Sequence, residues 1–270
     1  MIEELLLAGC DERIAIRTET GANQYHLHPM KYEGLLMRGS CTCGTLTPDG
    51  HRSAERFVRD YRSSEDAAWI RQQSKRMQTL FDGGRGDEFH IYYGPSGSDM
   101  MYWPLLMQSM LHPGQTITNI VSCPEELGSG SILAAEGMYY ANTNQYGEAV
   151  PKGDLVTDSF HVDVQFLPAR EISGHIADRK QAIRDIIAAR PGQPIVGNLV
   201  FGSKSGIKDD LDIIDEFREG VMWVVDMCQF RTHRGLVHEL LSKGVMLMVT
   251  GSKFYQAPPF CGALLVPKFW

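Results

Sequence analysis

The sequence lacks the features that mark secreted and membrane proteins. Its six cysteines in 270 residues show no paired spacing of the kind found in zinc ribbons or disulfide-rich domains. No apolar run approaches the roughly 18 residues of a membrane span, and the densest run, residues 245–249, has the length of a buried strand. These absences indicate a reducing compartment, and we expect a cytoplasmic protein.

Positive charge is also scarce. The chain carries 26 Lys and Arg residues against 33 Asp and Glu residues, a formal net charge of −7. This balance argues against broad binding to nucleic acid or to an anionic membrane, although it leaves room for a small local anion site. With 43% hydrophobic and 22% charged residues, the composition is that of an ordinary globular domain and excludes fibrous and disordered classes.

The N-terminal region has no regular period. Its opening, MIEELLLAGC, contains LLAGC, which is similar to a bacterial lipoprotein box, but Glu3 and Glu4 stand where a basic leader is expected. We therefore interpret the opening as the start of a helix. Glycines and prolines interrupt the residues that follow. The sequence thus predicts an arm or covering segment over 1–52 and one large domain over 53–270, which begins with a helical region at 53–81.

Beyond that helical region, short apolar runs alternate with amphipathic stretches. The apolar runs predict seven strands, at 88–93, 117–122, 159–166, 194–201, 222–227, 245–250 and 261–266. Helices are predicted between most of them, at 99–111, 131–140, 176–189, 209–219 and 234–242. This alternation is typical of a three-layer α/β/α fold, in which helices cover both faces of a mostly parallel seven-stranded sheet. Ligands bind such sheets beyond the carboxyl ends of the strands, so the residues after each strand form the candidate site.

The residues after the first predicted strand are small and polar. Ser96, Gly97 and Ser98 precede a helical stretch, and in such a turn hydroxyls and backbone N–H groups can approach an anion. The same composition is typical of an ordinary turn between a strand and a helix. This motif is therefore informative only together with others.

Two charged residues also stand at strand ends. Asp226 closes the fifth predicted strand, where a carboxylate either faces a cation or caps a helix. Lys253 follows the sixth strand in the motif Thr250-Gly251-Ser252-Lys253. Partial desolvation at this position favours the neutral amine that Schiff-base chemistry needs, whereas an isolated lysine here is typical of a solvated loop.

The order and spacing of these motifs resemble the large domain of fold type I pyridoxal-phosphate (PLP) enzymes. Within that group they are similar to the branch of class V aminotransferases, cysteine desulfurases and kynureninases. The resemblance rests on residues 96–99, on Asp226 with Gln229 three positions later, and on residues 250–253, and it covers the predicted large domain. It implies an aspartate-aminotransferase-like fold, PLP as the cofactor, and an amino acid or related amine as the substrate.

The resemblance also implies roles around the cofactor ring. Lys253 is the Schiff-base lysine and carries the proton during the reaction. Asp226 pairs with the pyridinium nitrogen and keeps it protonated. Gln229 hydrogen-bonds the ring 3-oxygen, as the matching glutamine does in the class V branch.

The other matching residues are polar and small. Gly97, Ser98 and Thr250 hold the phosphate. Ser96, which begins the turn that contains Gly97 and Ser98, is a further cofactor-binding residue. A small polar residue near the ring is expected after the fourth strand, where Ser203 and Ser205 are alternatives. The resemblance does not choose between these two serines.

Three features depart from the family pattern. Ser252 stands where the class V branch commonly has histidine, and residues 123–129 offer no aromatic or histidine side chain to stack on the ring. The chain ends at Trp270, so we expect the smaller C-terminal domain of the family to be absent. Because that domain often supplies an arginine for the substrate carboxylate, Arg38, Arg231 or a neighbouring subunit is the expected replacement.

We therefore expect a PLP-dependent enzyme, and aminotransfer is the first expectation for its reaction. Elimination of the desulfurase or kynureninase type is an alternative, and a truncated, non-catalytic relative or partner subunit is another. The family's sites commonly lie between two subunits, which implies a homodimer. No nucleic-acid or membrane partner is expected, because the net charge is negative. No metal is expected, because His26, His28 and His161 lack further ligands at suitable spacing.

Overall fold

Seven apolar segments pair into one sheet, with helices packed on its two faces. The computed structural model describes residues 2–7, 11–34, 42–61, 66–82, 89–268 and 270. Its strands are β1 (Phe89–Gly94), β2 (Thr116–Ser122), β3 (His161–Leu167), β4 (Ile195–Val200), β5 (Val221–Asp226), β6 (Met246–Thr250) and β7 (Gly262–Pro267). The helices are α1 (Ile2–Leu7), α2 (Pro48–Tyr61), α3 (Asp66–Asp82), α4 (Gly97–Met100), α5 (Tyr102–Leu111), α6 (Ser131–Ala135), α7 (Arg179–Ala188), α8 (Ile213–Glu216) and α9 (Arg234–Ser242).

The direction of the strands brings several strand ends to one edge of the sheet. The strand order is β1-β7-β6-β5-β4-β2-β3. β7 runs antiparallel to both of its neighbours, and the other pairs are parallel. Val200 pairs with Asp226, while Gly262 pairs with both Gly94 and Thr250. The carboxyl ends of β1, β2, β4, β5 and β6 therefore lie at the same edge.

Apolar residues are buried on both faces of the sheet, as expected where helices cover both sides. One core contains Phe81 of α3, Ile183 of α7 and Val237 of α9. The other contains Leu105 of α5 and Ala134 of α6. The predicted three-layer α/β/α architecture around a mostly parallel seven-stranded sheet is confirmed.

The predicted strands were more accurate than the predicted helices. Each strand lies within two residues of its predicted bounds. The helix predicted at 131–140 ends early because Gly137 adopts φ 76°, a left-handed conformation that terminates helices. The helix predicted at 209–219 is reduced to α8, because Asp209 is held instead in a buried ion pair.

The helical region predicted at 53–81 contains two helices. α2 begins earlier, at Pro48, and proline is favoured at a first helical position because its missing N–H is not needed there. Residues 62–65, where we expected a break, lie outside the described residues. Position 52 falls inside α2, and the division into an arm and a large domain stays a prediction.

Three findings concern membranes, disulfides and metals. No helix within the described ranges combines the length and the apolar composition needed to cross a bilayer. The cysteines that the structure describes, Cys43, Cys123, Cys228 and Cys261, form no disulfide with one another. In the same part of the chain, no three side chains of His, Cys, Asp or Glu converge as metal ligands do.

A buried ion pair holds the loop that follows β4. Arg179 Nε donates to Asp209 Oδ1 at 2.7 Å, and both side chains are at most 5% exposed. Arg179 also donates to the carbonyls of Ala169 and Ala177, while Asp209 Oδ2 accepts the backbone N–H of Val200 at 2.7 Å. The pair thus joins the start of α7 to the end of β4 and closes the loop over 201–208.

Removing the arginine of this pair is expected to destabilise the fold. Arg179→Met leaves the Asp209 carboxylate buried without a cation, which typically lowers the free energy of unfolding by about 3–5 kcal/mol. Lys180→Met is the matched control, because Lys180 pairs with Asp210 and Glu216 at the surface, where little change is expected. Urea unfolding of the three proteins measures the difference, and equal midpoints for both variants would contradict it.

Candidate active site

A cavity of about 220 Å³ opens at the edge where the strands end. Six of the eight predicted site residues line it: Ser96, Gly97, Ser98, Asp226, Thr250 and Lys253. The other two, Ser203 and Gln229, line a smaller pocket that shares Asp226 and Lys253 with the first. The structure therefore brings all eight residues together, although they come from four separate loops.

Asp226 is held in place by the turn that follows β5. Its Oδ1 accepts the backbone N–H of Cys228 at 2.8 Å, and the side chain is half-buried. No helix begins there, so of the two interpretations from sequence the helix cap is wrong. Within the described part of the chain, no cationic side chain lies within ion-pair distance of this carboxylate.

Lys253 lies in the turn after β6 and is also half-buried. Among the described residues its Nζ has no ion-pair or hydrogen-bond partner. The thiol of Cys228 lies near both Lys253 and Asp226. Burial raises the pKa of that thiol well above its ordinary value, Asp226 raises it further, and Lys253 acts in the opposite direction. Cys228 is therefore a neutral thiol between the two charged groups.

The turn after β1 is packed tightly against Cys228. A Cβ added to Gly97 would lie 2.7 Å from Cys228 Sγ, so only glycine fits there without a shift. Ser96 Oγ donates to Asp99 Oδ2 at 2.6 Å, and Ser98 Oγ shares a 3.1 Å hydrogen bond with Ser131 Oγ. The first serine is thus engaged with a carboxylate, whereas the second is paired with another hydroxyl.

Thr250 is engaged with the backbone in this structure. Its Oγ1 donates to the carbonyl of Cys261 at 2.8 Å and lies 2.8 Å from Ser252 Oγ. Because Thr250 has only one hydroxyl proton, Ser252 is the donor in the second contact. Ser252, which stands where the family commonly has histidine, therefore supports Thr250 and also lies 3.3 Å from Thr42 Oγ1.

The two serines left open by the sequence differ in burial. Ser203 is buried and lines the smaller pocket, whereas Ser205 is exposed. Both hydroxyls donate to Glu126, at 2.8 and 2.7 Å, and the backbone N–H of Ser205 does so at 2.9 Å. Partial burial acts to raise the pKa of Glu126, but the hydrogen bonds from Ser205 and Ser203 outweigh it and lower that pKa.

Gln229 is buried, and its Oε1 accepts from Arg231 Nη2 at 3.2 Å. Arg231 itself is exposed and lines neither cavity, so it is poorly placed to contact a substrate there. Arg38 lies outside the described residues. In the segment after β2, Leu127 lines the smaller pocket, and it offers an aliphatic surface where the sequence has no aromatic or histidine residue.

The N-terminal segment supplies cavity residues that sequence reasoning missed. Arg13, Tyr25 and Thr42 all line the larger cavity. Arg13 pairs with Asp11 through Nε and Nη2 at 2.7 and 2.6 Å, and its Nη2 also donates to Ser96 Oγ at 3.1 Å. Burial acts to lower the pKa of Arg13, but Asp11, Tyr140 and Asp99 together outweigh it and raise that pKa, so the guanidinium stays charged.

Several solved structures share this fold. No family model matches the sequence, and no curated protein matches it significantly. The chain is similar to the crystal structure of mouse CSAD, with a TM-score of 0.51 and 17% identity over 83% of this chain and 47% of that one. It is also similar to the histidinol-phosphate aminotransferase from Clostridium acetobutylicum, with a TM-score of 0.51 and 12% identity over 82% of this chain and 57% of that one.

A third structure is the glutamate decarboxylase domain of diaminobutyrate-pyruvate transaminase and L-2,4-diaminobutyrate decarboxylase from Vibrio parahaemolyticus. The TM-score is 0.52 and the identity 13%, over 82% of this chain and 50% of that one. This chain thus spans about half the length of the structures that it matches. At such low identity the likeness shows the fold alone. The fold expected from the resemblance, that of a PLP-dependent transferase large domain, is confirmed.

Glu126 is expected to contribute to stability in a pH-dependent way. Because its pKa is lowered in the folded protein, the contribution is present at neutral pH and is lost as the pH falls through that folded-state pKa, below the ordinary 4.5. Glu126→Gln should therefore be less stable than wild type at pH 7, and the difference should shrink on acidification.

Urea midpoints at several pH values measure this difference. Glu136→Gln is the control, because within the described chain no serine donates a hydrogen bond to that partly buried carboxylate. A difference between wild type and Glu126→Gln that does not change with pH would contradict the expected role of the charge.

Proposed function

We propose that this protein is a PLP-dependent enzyme that acts on an amino acid or related amine, and that its reaction is aminotransfer. The observation that carries the proposal is the convergence of Lys253, Asp226 and residues 96–98 on one cavity. The order of the three motifs along the chain supports it. The fold shared with aminotransferase and decarboxylase structures supports it as well.

The residues around the cavity suit PLP chemically. Lys253 offers an amine for the aldehyde, Asp226 a carboxylate for the ring nitrogen, and Ser98 a hydroxyl for the phosphate. Gly97 has no side chain, so its backbone can approach a ligand closely. A Cβ at this position would lie 2.7 Å from Cys228 Sγ. The donor set and the close approach of the backbone both fit a flat, phosphorylated ring.

The role of each residue follows from its chemistry. When bound, PLP supplies a conjugated ring that withdraws electrons from the Cα of an amino acid. Lys253 Nζ would hold the cofactor through its aldehyde, and its amine would serve as the base and acid for the proton at the substrate Cα. Asp226 favours the protonated ring nitrogen, because a nearby carboxylate stabilises the cation. Gln229 would orient the ring through its amide, and Ser203 lines the smaller pocket together with Asp226 and Gln229.

Two local features support these roles. The Nζ of Lys253 has no ion-pair or hydrogen-bond partner among the described residues, so the amine is not committed to another group. Asp226 is anchored by the Cys228 N–H, which fixes the carboxylate without neutralising it. A fixed charge of this kind is effective because it needs no reorganisation during the reaction.

The proposal includes a homodimer in the cytoplasm. The family resemblance supports the dimer, and the exposed apolar side chains of Leu106, Met110 and Leu111 on α5 offer a surface that a second subunit can cover. The sparse, unpaired spacing of the cysteines supports a reducing compartment.

Replacing Lys253 is expected to abolish covalent attachment of PLP. Wild type mixed with PLP should give a yellow visible band that borohydride removes, and peptide mapping should find the reduced label on Lys253. Lys253→Ala should give no such band. Lys204→Ala is the control, because Lys204 lines the same cavity and its loss should leave the band intact.

A label on Lys204 or on another lysine would overturn the assignment of Lys253. Absence of the band in wild type would favour the non-catalytic alternative. Where the band forms, the products of an amino-acid panel separate the reactions, since aminotransfer gives a keto acid and a pyridoxamine form of the cofactor, whereas elimination releases alanine or a sulfur or aryl group.

Replacing Asp226 is expected to separate binding from turnover. In Asp226→Asn the side-chain oxygen can still accept from the Cys228 N–H, but the charge is lost. Turnover of an active amino acid should fall by about 100-fold or more, the usual effect of removing one preorganised electrostatic group, while PLP still attaches. Asp226→Glu should recover part of the loss, and equal turnover in Asp226→Asn and wild type would contradict the role.

A further inference from the structure

The N-terminal segment is docked on the protein beside the cavity. Thr42 accepts the backbone N–H of Phe260 at 3.1 Å through its carbonyl. The carboxylate of Glu12 accepts the backbone N–H of Asn142 at 2.9 Å and its side-chain amide at 3.0 Å. These contacts come from two parts of the segment, so its cavity-lining residues have fixed positions.

The predicted phosphate ligands carry no positive charge, and few of their hydroxyl protons are free to bind a ligand. They are all neutral, and the Thr250 hydroxyl donates to the carbonyl of Cys261. The Ser96 hydroxyl donates to Asp99. Among the hydroxyls of these predicted ligands, only that of Ser98, which it shares with Ser131, has a proton left for a ligand, and the other donors of the turn are uncharged backbone N–H groups. Because a phosphate is a dianion that accepts several hydrogen bonds, a cation at this end of the cavity is needed.

Arg13 meets this need. Its guanidinium lines the cavity and lies 3.1 Å from Ser96 Oγ, at the start of the predicted phosphate turn. Asp11 occupies Nε and Nη2, and the rings of Tyr140 and Phe260 lie 5.1 and 5.3 Å from the guanidinium carbon. Nη1 has no hydrogen-bond partner among the described residues. The guanidinium is therefore fixed in orientation, with one nitrogen still available.

The neighbouring carboxylate does not compete for that nitrogen. Asp99 already accepts hydrogen bonds from Ser96 at 2.6 Å and from Tyr140 at 2.7 Å, and it accepts a further one from Gln145. The other cations that line the cavity within the described chain are Lys204 and Lys253. Lys253 is assigned to the aldehyde, and Lys204 belongs to the loop after β4 that Glu126 holds, whereas Arg13 is hydrogen-bonded to the turn after β1.

We propose that Arg13 binds the phosphate group of PLP, so that the N-terminal segment completes the cofactor site. The inference rests on the proposed function. It predicts that Arg13 distinguishes PLP from pyridoxal, which carries the same aldehyde and ring but no phosphate. The contribution of Lys253 is common to both ligands, so the ratio of their affinities isolates the phosphate contact.

The test is a spectroscopic titration of each protein with PLP and with pyridoxal. Because Arg13→Gln alone leaves Asp11 buried without a partner, the main variant is the double substitution Asp11→Asn with Arg13→Gln, which removes both charges of the pair. Its affinity for PLP should fall by about 10- to 100-fold, as for a lost hydrogen bond to a charged group, while its affinity for pyridoxal changes little. Arg13→Lys should recover part of the loss, and Arg17→Gln, in an exposed position of the same segment, should behave as wild type.

Other outcomes overturn the inference in recognisable ways. An equal loss for PLP and pyridoxal assigns Arg13 a structural role only. Unchanged affinity for PLP together with a raised KM for the amino acid assigns it to the substrate carboxylate. In both cases the proposed function stands. Failure of wild type to bind PLP removes the proposed function and the inference together.

Discussion

The site depends on one antiparallel strand inserted into an otherwise parallel region. β7 lies between β1 and β6, and its first residue, Gly262, pairs with Gly94 on one side and with Thr250 on the other. A Cβ at Gly262 would lie 2.8 Å from the Gly94 carbonyl oxygen and 3.2 Å from the Ser96 nitrogen, which are backbone atoms that cannot move aside cheaply. Glycine at this position lets the turn after β1 approach the turn after β6. The predicted phosphate and lysine motifs meet for that reason.

The charges of the cavity are arranged around a neutral centre. Cys228 lies between Gly97, Asp226 and Lys253, and burial with a nearby carboxylate keeps its thiol protonated. A protonated thiol is a weak nucleophile, so Cys228 acts here by packing rather than by covalent chemistry. Its bulk explains why position 97 is glycine.

The strands and the motif residues could be predicted because their signals are local. A strand buried on both faces is a continuous apolar run, and a residue at its end is identified by counting along the chain. Glu126 and Arg13 could not be found this way. Glu126 binds Ser203 across 77 positions of sequence, and Arg13 binds Ser96 across 83 positions. Asp209 misled the helix prediction for the same reason, since its partner Arg179 lies 30 positions away. Such contacts appear only once the sheet has brought the loops together.

The contrast between local strand-end residues and contacts from distant parts of the chain also bears on how the reaction is selected. Structures of an aminotransferase and of a decarboxylase domain share this fold, so the fold by itself does not identify a reaction. In this chain the cavity also contains Arg13, Tyr25 and Thr42, which come from the N-terminal segment and not from the sheet. A segment of this kind can change sequence without disturbing the sheet, because its side chains contribute little to either apolar core. In the proposed enzyme the sheet positions the strand-end residues assigned to the cofactor, and the N-terminal segment adds Arg13 for its phosphate.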